Sequence, residues 1–112
     1  MFSTELRLEK PTLRARAQRA LRWTRAAADR ALALYATEQA AAHYSTAIGI
    51  AVREGADSEI LEDLYTRCGR AFELHGEYGR AIETYESLEA LGAEHGDDRL
   101  RAALLHLAHE VV

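Results

Sequence analysis

Along most of this chain apolar residues return at i, i+3, i+4 and i+7, the spacing of helices that each bury one face. The first such run spans Thr12 to Tyr35, and Pro11 suits its start because a first-turn N–H has no partner anyway. On a 100° wheel Leu13, Ala17, Ala20, Leu21, Ala27, Ala28, Ala31 and Tyr35 share a side, whereas Trp23 and Leu34 lie elsewhere. Two apolar stripes suit a helix held between neighbours, with a half-exposed Trp23 as the alternative. A second helix is expected from Thr37, which would accept amide hydrogen bonds from the new first turn, to about Arg53. Its face is Ala40, Tyr44, Ala47, Ile48 and Ala51, and Gly55 supplies a left-handed cap.

Asp57 and Ser58 can cap a third helix with the stripe Ile60, Leu61, Leu64, Tyr65, Cys68, Ala71 and Phe72, which stops near His75-Gly76. The fourth, about Glu77 to Glu94, aligns Tyr78, Ala81, Ile82, Tyr85, Leu88 and Leu91. So short a break predicts an antiparallel hairpin of the third and fourth helices. Gly96-Asp97-Asp98 ends the fourth helix and caps a fifth, Asp98 to about Val112.

Composition agrees with an all-α fold: 22 alanines, many Leu, Arg and Glu, and one proline in 112 residues, a length that fits a single domain. Thirteen arginines against one lysine, with no asparagine, point to the coding bias of a GC-rich bacterium. The lone Cys68 cannot pair within the chain and gives no support for an oxidising compartment. Met1 to Lys10 lacks the apolar core of a secretory signal, and no window holds the roughly 18 apolar residues of a membrane span. A soluble, cytoplasmic protein with no membrane contact is the expectation.

The helices repeat. Ala81-x3-Tyr85-x2-Leu88 superposes on Ala40-x3-Tyr44-x2-Ala47 with an offset of 41, and the same shift places Ala28 where Gly69 stands. Thr24, Ala27 and Ala31 then occupy the places of Tyr65, Cys68 and Phe72. Gly69 and Ala28, with Ala81 and Ala40 opposite, are small enough to let two helices approach closely. Tyr65, Phe72 and Tyr85 are expected to fill the volume between successive hairpins.

Tyr65-x2-Cys68-Gly69-x2-Phe72 followed by Ala81-x3-Tyr85 resembles a tetratricopeptide repeat, whose first helix reads W-x2-L-G-x2-Y and whose second reads A-x3-F. The resemblance implies a right-handed α-solenoid of two antiparallel helix pairs plus a C-terminal helix. A degraded repeat would span about 20–54, a clear one about 62–95, and a partial repeat or cap about 98–112. The offset exceeds the family period of 34, and the seven extra residues would lengthen the second helix and its turn.

The family's function is recognition without chemistry, through a groove lined by the first helix of each pair. By spacing, Arg22, Arg25, Asp29, Thr66, Arg70 and Glu73 would line it, continued by Arg101, Leu105 and His109. Arginine's planar fork suits carboxylates, so an acidic peptide or protein is the expected partner. The clamp that grips chaperone tails uses lysines and asparagines, which excludes that role for a chain with only Lys10.

No nucleophile motif, phosphate-binding glycine loop or paired-cysteine zinc pattern occurs, so neither catalysis nor a cofactor is expected. His106 and His109 beside Glu110 are better read as helix-surface histidines than as metal ligands, and Cys68 as inert packing. Residues 1–36 carry eight basic and three acidic groups, a net of +5; residues 37–112 carry six and fifteen, a net of −9. Arg14, Arg16, Arg19, Arg22, Arg25 and Arg30 raise a nucleic-acid alternative, ranked lower because the whole chain carries −4.

Leu100, Ala103, Leu104, Leu107, Ala108 and Val111 form an apolar stripe that Leu105 and Val112 widen. A second copy or a continuation of the chain could cover it; the first makes Leu104, Leu105, Val111 and Val112 a candidate self-association face and a homodimer a possible assembly. Residues 28–36 with Glu38-Gln39-Ala40 and Tyr44 also resemble helical-repeat segments of large bacterial signalling proteins that join cyclase or regulatory domains to an ATPase. A spacer or sensor segment of such a protein is the alternative reading.

Overall fold

The structure is a computed structural model that describes residues 12–94, all helix and turn with no strand among them. Four helices follow one another: α1 (Leu13–Ala33), α2 (Thr37–Arg53), α3 (Ser58–Leu74) and α4 (Tyr78–Glu94). Each packs extensively only on its neighbours in sequence, so the array grows by addition. The expected fifth helix lies outside the described residues.

Short turns set this arrangement. After α1, Ala36 N–H bonds to Ala31 C=O at 2.8 Å and Tyr35 N–H to Leu32 C=O at 3.0 Å. These bonds close a Schellman turn, with Tyr35 in the left-handed conformation at φ 59°. The same two bonds recur after α2, through Ala56 and Gly55 (φ 66°), and after α3, through Glu77 and Gly76 (φ 82°). Tyr35 and Gly76 stand 41 apart, as do Ala36 and Glu77, so the offset seen in the sequence is also an offset in backbone geometry. The helices α2, α3 and α4 each have 17 residues. With turns of four and three residues, two such helices make up the 41-residue offset.

Thr12 caps α1 by accepting from Ala15 N–H, and Asp57 caps α3 by accepting from Ile60 N–H. Thr37 does not cap α2. The N-cap is Ala36, without a side-chain bond, because that residue already closes the preceding turn. The Thr37 hydroxyl instead lies 3.1 Å from His75 Nδ1.

The core is small and aromatic by turns: Ala28, Ala40, Ala47, Ala51, Leu64, Ala71, Tyr44, Tyr85 and Leu88 are fully buried. Gly69 is the tightest point of approach. A Cβ there would stand 2.3–2.7 Å from ring atoms and the hydroxyl of Tyr85, so Tyr85 rather than Ala81 is what lies directly over it. Four expected core residues prove exposed: Leu13 (82%), Tyr35 (80%), Tyr78 (59%) and the small Ala20. Leu13 and Tyr78 sit in first turns, Tyr35 has left the helix altogether, and Ala20 lies on the outward side of α1 with Trp23. Phe72 is half-buried with the Arg80 guanidinium 5.6 Å from its ring centre, so its truncation costs less than the roughly 3–5 kcal/mol of a fully enclosed ring.

Two stability changes follow from these contacts. Gly69→Ala gains up to about 1 kcal/mol in helix propensity but forces the enclosed Tyr85 ring aside, at about 1–3 kcal/mol. A net loss in urea unfolding is expected, larger for Gly69→Leu and partly recovered when Tyr85→Leu is added. Tyr35→Gly removes a left-handed non-glycine residue, a conformation costing about 1–2 kcal/mol, and gives up little packing. Its melting temperature should rise by a few degrees; a fall would show that the Tyr35 ring contributes more than its exposure implies.

Candidate functional site

Several of the charged residues that the spacing places on one face are tied together internally. Arg25 and Asp29 stand one turn apart on α1, and Asp63 and Arg67 one turn apart on α3. Arg25 pairs with Asp63; Arg67 Nε bonds Asp63 at 3.0 Å, and Arg67 Nη1 lies 3.5 Å from Asp29 Oδ1. Both cross-links join residues 38 apart in the same ascending order, so α1 and α3 run in the same direction. All four side chains are one-third to two-fifths exposed, which limits each exposed pair to about 0.2–1 kcal/mol. The strip sets register more than it adds stability.

Two buried tyrosines reach into this strip from below. The Tyr44 hydroxyl donates to Asp29, and the Tyr85 hydroxyl donates to Glu73. Burial, then the hydrogen bond to the carboxylate and its charge, push both phenols far above their ordinary range. Each ring thereby connects the core between helices to a surface carboxylate.

Of the six proposed groove residues within the described region, Arg25 and Asp29 belong to the cross-links and Glu73 holds both Tyr85 and, at 3.7 Å, Arg70. Arg22 and Arg70 are exposed, and Thr66 is half-buried on the same side of α3. Arg101, His109, Leu104, Leu105, Val111 and Val112 lie outside the described residues, as does His106. Asp63 and Arg67 were missed by the spacing argument. Their signal was available: the order Arg-x3-Asp on one helix and Asp-x3-Arg on the other is complementary when parallel helices are aligned.

The opposite side of α3, about 180° around the helix, floors a second feature. Ser45 and Ile48 of α2, Tyr65, Cys68 and Phe72 of α3, and Arg80, Glu83, Thr84 and Ser87 of α4 enclose an open groove of about 350 Å³. An adjoining hollow of about 280 Å³ shares Ser45, Phe72 and Arg80 with it and extends to Glu38, His75 and Glu77. Cys68 Sγ lies 3.7 Å from Ser45 Oγ and 3.9 Å from Ala41 O. Burial raises its pKa, against weaker lowering by Ser45 and Thr84, so the thiol stays protonated and unreactive at neutral pH. Among the described residues no group of three or more His, Cys, Asp or Glu could hold a metal ion, and no helix is long and apolar enough to cross a membrane.

No protein family, curated protein or solved structure matches the chain.

The tyrosines give the site a pH dependence of known sign. A phenol whose folded pKa is raised contributes fully below its unfolded value of about 10 and loses that contribution as pH climbs towards the folded value. The melting temperature should therefore fall as pH rises above about 10. In a Tyr44→Phe/Tyr85→Phe chain the fall should be shallower; an unchanged slope would place the alkaline sensitivity elsewhere.

Proposed function

We propose that the chain is a non-catalytic protein-interaction unit, a tetratricopeptide-like right-handed solenoid that receives an acidic peptide on the strip formed by α1 and α3. One observation carries this reading: Asp29, Asp63 and Glu73, the carboxylates at the middle of the strip, are already engaged by the chain itself. Asp29 holds Tyr44 and Arg67, Asp63 holds Arg25 and Arg67, and Glu73 holds Tyr85 and Arg70. Against these three acids stand Arg22, Arg25, Arg67 and Arg70, and Arg22 and Arg70 are both exposed. Among these seven side chains, what remains open to a ligand is cationic, and Glu59, in the first turn of α3, is an exposed acid at the end of the strip. An extended segment with carboxylates along it meets guanidinium forks from two helices whose spacing is held by the cross-links.

The internal ties have a consequence for recognition. Side chains held by ion pairs and hydroxyls lose less rotamer freedom on binding, so the strip is partly ordered beforehand. Peptides displayed at random and selected on the whole chain should therefore be rich in Asp and Glu. Arg22→Glu/Arg70→Glu should weaken the selected peptides by about tenfold or more, with a fall in melting temperature no larger than loss of the exposed Arg70–Glu73 pair gives. Selected sequences free of acid, or indifferent to that double change, would remove the reading. A salt-sensitive shift of random duplex DNA would replace it with nucleic-acid binding.

A further inference from the structure

The 41-residue offset assigns every position of α3 a counterpart on α1, and along one face the counterparts differ in burial. Leu61, Leu64, Cys68 and Ala71 of α3 are buried in the core shared with α2. Their counterparts on α1 are Ala20, Trp23, Ala27 and Arg30. Ala20 and Arg30 are exposed, Ala27 is half-buried, and Trp23 is 69% exposed. Leu34 continues the stripe and is also exposed. On the wheel this face lies roughly opposite Arg22, Arg25 and Asp29, so it is separate from the proposed peptide strip.

The counterpart relation states what shape fits there. The face of α3 is covered by a helix, α2, that meets it with small residues: Cys68 lies beside Ser45 and the Ala41 carbonyl. On α1 the matching place is open to solvent, and Trp23 is bulkier than the Leu64 it replaces. An indole more than half exposed in an apolar stripe is the type of residue that anchors interfaces. Charge then narrows the occupant. Arg16, Arg19 and Arg30 flank Trp23, and a shallow hollow lined by Arg16, Arg19, Ala20, Trp23 and Thr24 lies at its base. Their α3 counterparts, Asp57, Ile60 and Ala71, carry no positive charge. Two copies meeting through this face would set these arginines against one another, which opposes a symmetric pairing.

We propose that the outward face of α1 docks one amphipathic helix of a partner protein, small along its centre and acidic along its margins, in the place that α2 takes against α3. A peptide built on residues 37–53 provides a probe: it keeps Ala41, Ser45 and Ile48, the small centre that α2 lays on α3, and carries Ala42→Glu, Tyr44→Glu, Gly49→Glu and Ala51→Glu along its margins. The experiment titrates this hydrocarbon-stapled peptide into the whole chain and follows Trp23, the one tryptophan present.

A saturable blue shift with loss of acrylamide quenching is expected. Arg16→Glu/Arg19→Glu, or glutamine in place of the peptide's glutamates, should weaken it by about tenfold. Arg22→Glu/Arg70→Glu should leave it unchanged, which keeps this inference apart from the fate of the peptide strip. No shift, or a shift indifferent to charge, overturns the proposal. So does a Trp23 already shielded in the dilute chain, which would assign the face to the chain's own termini. An emission that moves with chain concentration would assign it to a second copy and likewise overturn it.

Discussion

The constraint on which the structure depends is the way each helix stops. Three Schellman turns, at Tyr35, Gly55 and Gly76, return the chain within three or four residues, and each uses a left-handed residue to do so. So short a connection leaves a helix no choice of neighbour. It must lie against the one it has just left, and its register along that neighbour is set before any side chain is considered. One bonding pattern recurs at all three stops, Tyr35, Gly55 and Gly76. The 38-residue spacing shared by Arg25–Asp63, Asp29–Arg67 and Thr37–His75 is the side-chain expression of that register.

Given the register, the packing follows one rule with two variations. A second-helix tyrosine is enclosed in each unit, and its hydroxyl is satisfied by a carboxylate on the helix before it. In the first unit that carboxylate is Asp29, which also meets Arg67 of the next unit. In the second it is Glu73, one turn further along relative to the repeat, and its cation is Arg70 of the same helix. Tyr44 therefore connects the core to a link between units, while Tyr85 connects it to a pair within one unit. A buried hydroxyl left without an acceptor costs about 1–3 kcal/mol, so neither acid can be regarded as a merely solvated surface charge.

Much of this was legible in the sequence, for reasons that also mark where reading stopped. Periodicity located all four described helices, because a stripe of apolar residues is itself the packing surface. Gly55, Gly76 and Asp57 announced the ends through chemistry that is local to the turn. The wheel failed at Leu13, Ala20, Tyr35 and Tyr78, since it assigns a side to every residue but does not know where a helix stops or which of its sides a neighbour covers. Thr37 was misjudged because its role depended on Ala36 already being used by the previous helix. Asp63 and Arg67 escaped for a deeper reason. A groove inferred from one helix at a time sees exposed charges, whereas pairing across helices needs the 38-residue register that only the assembled turns define.

The same register gives the uneven charge of the chain a structural meaning. Within the array α3 places Asp57 and Asp63 where α1 places Arg16 and Arg22, and α4 places Glu83, Glu86 and Glu89 where α2 places Ala42, Ser45 and Ile48. Cations thus gather on the first described helix and anions on the last, while the contact between α2 and α3 is built from alanines, Ile48, Leu61, Leu64 and Cys68. Internal contacts in a repeat array gain from apolar burial, which does not discriminate among partners; a terminal face must choose what it admits. Arginines around Trp23 provide that choice, because a neutral or basic helix of the same shape would bury guanidinium groups without partners. The outward face of α1 is therefore better described as a selective seat than as an unfinished core.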